Sequence, residues 1–440
     1  MKKIFDIFRL ADKEIFLVGG YVRDSLLGKK SNDFDFATNA LPEETIAILS
    51  TNGLKAIPTG IEFGTVQTII DDEKVEITTY RIQESYQKGS RKPYVVFGSK
   101  LEDDLVRRDF SINSIAMKED GTLIDPFNGE QDLRDGYIRT PGDAFKAFSD
   151  DPLRMLRACR FVARGFGEID HETYLAMVKS SELASDLSVE RVFDETTKLL
   201  LSPDPAAGLR LMSISGLIYV LFPELQVLFD FTEFPGDEHH LSVWEHTLAT
   251  VEYTDARPEL RWAALFHDVA KPVCWAMIKD RTTFRDHSIT GHEIWKTVAR
   301  KLKTSNSFRR TVSTLIVEHQ SLPNTSIKTK GLRRLIHRVG VNMPDLLSLV
   351  EADIRAHHPR IVECSLAALA QTKGRMDHEL EVGPEVTNKL PKGTGDVVMK
   401  SLGLRPGPEL GVIIRRLQKM MIEGTVTVES DFAKVAKGLV

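Results

Sequence analysis

The chain has 440 residues, a formal net charge of −5, 42% hydrophobic and 28% charged residues, which leaves room for about two to four soluble domains and excludes an overall basic surface, so any RNA-facing positive charge must be local. Cys159, Cys274 and Cys364 are widely spaced with no CxxC, which excludes a disulfide framework and a cysteine zinc site. No apolar run approaches the roughly 18 residues of a membrane span, so a cytoplasmic protein with no membrane partner is expected.

The first stretch, MKKIFDIFRLADKEIF, is interrupted by Asp6, Arg9, Asp12, Lys13 and Glu14. It predicts an amphipathic helix burying Ile4, Phe5, Phe8 and Leu10, not a signal peptide. Residues 1 to 140 then read as mixed α/β, with strands expected at Ile15–Val18, Phe34–Ala37, Gly64–Ile70, Val75–Thr79 and Ser114–Met117. Leu41-Pro42-Glu43-Glu44 predicts a helix start with proline in its first turn. The tract RIQESYQKGSRKPYVVFGSKLEDDL is polar and weakly periodic and is expected to be mostly a mobile loop. From Asp143 onward helical patterns dominate, with joints expected at Pro141-Gly142, Ser202–Pro205, Phe234–Asp237, Pro359 and Leu390–Gly395.

Gly19 and Gly20 directly follow the first strand, and Asp33 and Asp35 flank the start of the second. Side chains two apart on a strand share a face, so the two carboxylates repel unless a cation sits between them. Mg²⁺ takes one or two protein carboxylates plus substrate phosphates, and a glycine pair lets backbone N–H groups approach a phosphate. Together they point to a nucleoside triphosphate and metal site. Glu76 is either a third carboxylate of a two-metal polymerase site or a solvent-facing edge glutamate. In Arg107-Arg108-Asp109-Phe110-Ser111-Ile112-Asn113 the arginines can clamp a triphosphate and Asn113 can bond a sugar hydroxyl; a capped helix start with exposed arginines is the plain alternative.

Asp150-Asp151-Pro152-Leu153-Arg154-Met155-Leu156-Arg157-Ala158-Cys159-Arg160 predicts a helix with Asp151 and Arg154 as neighbours, Arg157 on the same ridge and Arg160 drifted round. That pair is a surface ion pair or a protein template for a base. A carboxylate accepts from N4 of cytosine or N6 of adenine, and an arginine donates to the adjacent ring position. Uracil and guanine present a carbonyl there and would be rejected.

Farther on, His246, His267, Asp268, His292, His319 and Asp353 follow one another in the order H…HD…H…H…D. Such ligands suit Mn, Fe, Ni or Zn. Modest basic patches lie at 300–303 with 309–310, at 328–338, and at 415–419. Nothing in the pattern specifies an oligomeric state.

The ordered set LVGGYVRDSLLG…DFD, VEITTYR, RRDFSINSIAM, DPFNGEQDL, DDPLRMLRACRF and SVERVFDETTKLL resembles the bacterial class II tRNA nucleotidyltransferases, the CCA-adding enzymes and their poly(A) polymerase relatives. The resemblance implies an α+β protein. Its nucleotidyltransferase head, residues 1–140, carries a mixed five-stranded sheet. A helical neck (141–205), a body (206–360) and a tail (361–440) that holds the tRNA acceptor arm follow. It implies addition of CMP and AMP to the tRNA 3′ end from CTP and ATP with Mg²⁺ on Asp33 and Asp35, and nucleotide contacts at Gly20, Arg23 and Arg108. It also places Asp151, Arg154, Arg157 and Arg160 on the nucleotide-binding helix. The family usually has Glu where Asp150 stands, which shortens one orienting contact. The long tract from Arg81 to Leu105 speaks against a CC-only enzyme; A-only addition and poly(A) synthesis stay open. HDVAKP and the histidine order resemble the HD phosphohydrolases over about 237–360, implying a four-ligand core of His246, His267, Asp268 and Asp353, with His292 and His319 supporting a second metal. A phosphohydrolase acting on RNA ends is the alternative of another class.

Overall fold

The structure, a computed structural model, describes residues 2–86, 93–231, 242–278, 281–322, 327–382 and 390–440. It divides into two compact units, Met1–Gln226 with Arg300–Lys303, and Val227–Ala299 with Thr304–Val440. The first unit thus takes in both of the first two expected segments. The expected joint at 234–237 lies outside the described residues.

In the first unit the chain forms β1 (Ile15–Val18), β2 (Phe34–Thr38), β3 (Ile57–Gly60), β4 (Thr65–Ile70), β5 (Glu73–Thr79), β6 (Arg81–Tyr86), β7 (Pro93–Phe97), β8 (Ala116–Met117) and β9 (Leu123–Ile124). Seven of them make one sheet in the order β3-β4-β5-β2-β1-β8-β9. β2 and β5 run parallel and the other pairs antiparallel, so the sheet is mixed. The α+β architecture is therefore as expected, but with seven strands where five were expected. β3 (Ile-Pro-Thr-Gly) and the two-residue β9 carry too little apolar alternation to announce themselves. The tract from Arg81 to Leu105 is also a correction. It forms the β6–β7 hairpin and then the helix Leu101–Val106, and 87–92 lie outside the described residues.

Alternation along the central strands sorts the two faces. Ile15 and Leu17 of β1, with Phe36, Val66, Val75 and Ile77, pack against the helix Lys2–Leu10 through Ile4, Phe5 and Phe8. Phe5 meets Phe36 edge-on with ring centres 5.4 Å apart. Each such side chain contributes about 1.5–3 kcal/mol of burial. Leu10, expected inside, is 84% exposed, and Ile7 takes its place in the core. The other face carries Val18, Ala37, Tyr80, Leu101, Leu105 and Ala116. Asp35 shares that face with Ala37, at the end where β2 begins.

The remainder of this unit is mostly helical. Helices Leu153–Ala163 and Pro205–Ile214 meet at Gly208, where a Cβ would stand 2.7 Å from the Cys159 carbonyl oxygen. Only glycine permits that approach.

The second unit is built largely from helices, among them Val243–Tyr253, Pro258–Phe266, His287–Lys301, Asn306–Glu318 and Met343–Arg355. A separate apolar cluster near the C-terminus joins Val398, Ile413, Leu417, Met421, Phe432 and Ala436. Among the described residues no helix is long and apolar enough to cross a membrane.

Candidate active site and histidine centre

A cleft of about 390 Å³ opens in the first unit. Asp35, Glu76 and Thr78 line it from the sheet, Arg107, Arg108 and Asp109 from the segment before β8, and Asp151, Arg154, Arg157 and Arg191 from the helical part. Asp33 is exposed one residue before β2, close enough for its charge to act on Asp35. Burial first, and then Asp33, push the Asp35 carboxyl up to about 6, against the pull of Arg108. A carboxylate made this reluctant to ionise by an acidic neighbour is relieved by a cation, so Asp33 and Asp35 fit a hard divalent ion completed by substrate oxygens.

Glu76 stands opposite Asp35 in the parallel register. Its carboxylate is engaged, however, by Lys74 (2.6 Å) and Gln67 (2.9 Å). Both bonds fall on Oε1 and neither uses Oε2, so Glu76 lines the cleft with one oxygen engaged by the sheet, and the geometry favours neither of its two readings outright.

Gly19 sits at φ +71°, and a Cβ there would stand 3.2 Å from Arg108 Nη1 and 3.6 Å from Asp35 Oδ2. The backbone therefore approaches Arg108 and Asp35 because residue 19 has no side chain. Arg108 is oriented from behind by buried Asp104, whose Oδ2 accepts from Nη2 at 2.9 Å while its Oδ1 accepts from Arg107 at 2.6 Å. Burial alone would raise the Asp104 carboxyl; Arg107 and Arg108 overcome it and hold it at about 2. Sequence reasoning missed Asp104, although its i,i+3 and i,i+4 spacing to the two arginines was the available signal.

Asp109 is an internal tie. It accepts from Phe110 N (2.9 Å), Asn113 Nδ2 (2.9 Å) and Arg157 Nε (2.8 Å). Burial would raise its carboxyl, but Arg157 and Asn113 hold it at about 2. Asn113 in turn accepts from Arg23 Nη1 at 2.7 Å. Arg23, Asn113 and Gly20 do not line the cleft, and Arg160 is paired with Glu195 at 2.8 Å.

The expected helix start at Asp150 is corrected. Helix Ala144–Asp150 ends before Pro152, and a new helix, Leu153–Ala163, begins after it. A residue preceding proline is pushed to extended backbone, and Asp151 has φ −145° and ψ 98°. Asp151 and Arg154 therefore do not form the i,i+3 ion pair. Asp151 accepts from Arg191 Nη2 at 2.9 Å and from Leu153 N at 3.1 Å. Arg154 donates to the carbonyl oxygens of Ala147 and Arg107. Both still face the same cleft. Arg191, lying in the quoted SVERVFDETTKLL, had no assigned role, and nothing local in the sequence links it to a carboxylate forty residues earlier.

The second unit brings His246, His267, Asp268 and Asp353 together, with all ligand atoms within 4.8 Å, and a second set of Asp268, His287 and His319. His292 is not in either set; its Nε2 lies 3.6 Å from Glu293. His287, five residues earlier on the same helix, occupies the position expected of it. The Nδ1 atoms of His246, His267, His287 and His319 meet the carbonyls of Ala356 (3.3 Å), Ala264 (2.7 Å), Phe284 (2.8 Å) and Ile316 (2.7 Å). A carbonyl only accepts, so each Nδ1 carries a proton, which leaves Nε2 as the inward-facing atom that a metal would take in place of any proton there. The Nε2 atoms of His287 and His319 are 3.2 Å apart. Asp268 is fully buried, with His287 Nε2 at 3.2 Å from Oδ1 and Lys271 Nζ at 2.5 Å from Oδ2. Yet neither of its oxygens, nor His267 Nε2, has a hydrogen bond of acceptable angle. Buried ligand atoms that crowd a common point, three of them without a hydrogen-bond partner, fit a metal. Burial would raise the Asp268 carboxyl; His267 and Lys271 hold it well below the usual range. Burial would lower the His267 imidazole, but Asp268 and Asp353 push it up to about 10, so protons stand where a metal would.

The comparisons agree with this division. Residues 15–139 match the poly A polymerase head domain, 167–228 the probable RNA and SrmB-binding site of polymerase A, and 236–360 the HD domain. The chain is 32% identical to a CCA-adding enzyme of Streptococcus suis, over 97% of this chain and 93% of the relative. It is 34% identical to an A-adding tRNA nucleotidyltransferase of Deinococcus radiodurans, over 93% and 92%. The Bacillus stearothermophilus CCA-adding enzyme in complex with CTP superimposes with a TM-score of 0.69 at 26% identity, covering 99% of this chain and 96% of that one. With relatives of this identity matched along nearly their whole length, the chain belongs to the tRNA nucleotidyltransferase family of CCA-adding and A-adding enzymes.

Proposed function

We propose that the chain adds CMP and AMP to the 3′ end of tRNA from CTP and ATP, selecting both bases without a nucleic-acid template, in the cytoplasm. One observation carries this reading: Asp35 and Arg108 line the same cleft as Asp151 and Arg154. In the reaction the terminal 3′ hydroxyl attacks the α-phosphate, the bond to the β-phosphate breaks, and pyrophosphate leaves. Mg²⁺ supplies activation of the hydroxyl and charge neutralisation when bound, and Asp33 and Asp35 would hold it. Arg108, fixed by Asp104, meets negative charge on the triphosphate. Arg154 spends two of its roughly five N–H donors on carbonyls, and Asp151 accepts at about three of roughly four sites, so both keep capacity for a base edge. Asp151 would accept the exocyclic amine of cytosine or adenine and repel the carbonyl of uracil or guanine.

Transcripts ending before CCA, after C and after CC, given labelled CTP and ATP separately and together, test it. Incorporation of both nucleotides on the first transcript is expected. Addition of a single A to the CC transcript alone would make it an A-adding enzyme like the Deinococcus relative, and long A tails on other RNA would make it a poly(A) polymerase.

The facing imidazoles of the second unit favour an additional reading. The centre there takes a transition metal, Mn, Ni, Fe or Zn, and hydrolyses phosphate esters at RNA ends. Elemental analysis with phosphatase and 2′,3′-cyclic phosphodiesterase assays of Asp268→Ala tests it. Equal hydrolysis by the variant and the parent would overturn it.

A further inference from the structure

The turn after helix Leu153–Ala163 holds cations that the cleft does not use. The guanidinium of exposed Arg164 lies 4.8 Å from the centre of the Phe166 ring, Arg23 lies 4.4 Å from it, and Lys29 lies 5.6 Å from it. Three positive groups thus converge on one buried aromatic side chain. The nearby acid is Asp24, and Arg23 already occupies one of its oxygens through Nε (2.9 Å) and Nη2 (2.7 Å). Among the described residues neither Arg164 nor Lys29 has a side-chain hydrogen bond or ion pair. Burial, and then the charge of Arg23, push the Arg164 guanidinium down, and the attraction of Asp24 offsets them only in part.

A guanidinium lying against a ring uses its face and keeps its in-plane N–H donors outward, pre-oriented for a phosphate. Lys29 adds a point charge beside it. Lys29 belongs to the turn between helix Gly20–Leu26 and Asp33, and Arg164 closes the helix that begins beside Asp151. The segments holding these two cations therefore continue directly into the metal-binding and base-reading segments. Neither side chain lines the cleft, where Arg107 and Arg108 stand and, on the nucleotidyl-transfer reading, meet the incoming triphosphate. The other phosphate-bearing substrate of a template-free polymerase is the strand it extends.

We infer that Arg164 and Lys29 grip a phosphodiester of the RNA strand being extended, at a contact separate from the triphosphate site. The inference rests on the nucleotidyl-transfer reading. Its test is independent, because binding is measured without turnover: failure of the wild type to add nucleotides would remove that reading, whereas the strand contact stands or falls on affinity.

The experiment uses the full chain with Mg²⁺, a tRNA transcript lacking CCA, and the variants Arg164→Gln, Lys29→Gln, the double variant and Arg164→Lys. The dissociation constant for tRNA is measured across a salt series, alongside the KM for CTP and the melting temperature. The double variant should bind tRNA about tenfold more weakly, with the slope of log affinity against log salt shallower by about 1.4 for two single-strand contacts. Its KM for CTP should stay within about twofold, and Arg164→Lys should restore much of the affinity. A raised KM for CTP with unchanged tRNA binding overturns the inference in favour of a triphosphate contact. Unchanged tRNA affinity overturns it outright, as does a loss shared equally by Arg164→Lys and Arg164→Gln with a lowered melting temperature.

Discussion

The head carboxylates and the histidine centre both fit divalent cations, but by opposite means. Asp33 is exposed and Asp35 opens onto a cleft, with arginines already neutralising the surrounding acids. The histidine centre crowds buried ligand atoms within 4.8 Å, each ring oriented by a backbone carbonyl. The first leaves coordination positions for a substrate to fill, so a metal held there would arrive and leave with the triphosphate. The second would surround an ion on most sides and suits a resident one. The contrast teaches that a sparse ligand set is itself a mechanism for turnover.

The largest effect should come from Asp35→Ala. CMP addition should fall by roughly three orders of magnitude, the several kcal/mol that metal charge stabilisation supplies. Metal content of the second unit, read by elemental analysis, should not change; a near-normal rate would break the comparison. Next, dialysis against a chelator should strip Mg²⁺ at once but leave the buried ion. When that ion is finally lost, unfolding free energy should drop by about 2.7 kcal/mol for a site held at a hundred times its dissociation constant. The variant His267→Ala should lack that drop in a chemical denaturation series.

The third prediction concerns pH. The carboxyl of Asp35 is raised from 3.8 to about 6, so its proton stabilises the metal-free fold below pH 4 and that contribution is lost as pH rises through 6. The loss is about 2 kcal/mol after discounting for partial exposure. Asp104 and Asp109, held at about 2, act with the opposite sign, adding stability above pH 4 that disappears as pH falls toward 2. Asp35→Asn should flatten the metal-free stability profile between pH 4 and 6, and an unchanged slope would remove Asp35 as its source. Smaller still, Asp151→Ala should weaken rejection of UTP and GTP about tenfold, the cost of one lost charged hydrogen bond, as measured by competition incorporation. Glu76→Gln, already bonded to Lys74 and Gln67, should change the rate less than about threefold. A thousandfold loss there would instead make the head site a three-carboxylate cage.

The parts of the molecule legible in sequence are those with one-dimensional signals. β1, β2, β4 and β5 alternate apolar residues against a core, and the glycine pair, the aspartates and the histidine order sit in recognisable spacings. The β6–β7 hairpin was illegible because it pairs only with itself, and among its described side chains Ile82 is 52% exposed and Val95, Val96 and Phe97 are only half-buried. His287 and His292 are five residues apart, about 140° round a helix, so one can face the centre only if the other does not, and the sequence does not say which. Asp104 and Arg191 act from behind Arg108 and Asp151. Their partners are fixed by packing, and Arg191 finds Asp151 only once the helices Leu153–Ala163 and Val189–Leu200 lie side by side.

Pro152 has no polar side-chain atom, yet it breaks the chain between two helices and leaves Asp151 extended, facing Arg191. Were the two helices fused, residue 151 would lie inside a hydrogen-bonded turn and its carboxylate would follow the helix surface instead. A search for determinants of nucleotide choice that looked only at contacting groups would overlook it. If Asp151 reads the base as proposed, variation at this position would alter what the enzyme accepts while leaving every proposed recognition group intact, and fidelity would be encoded partly in a ring that recognises nothing.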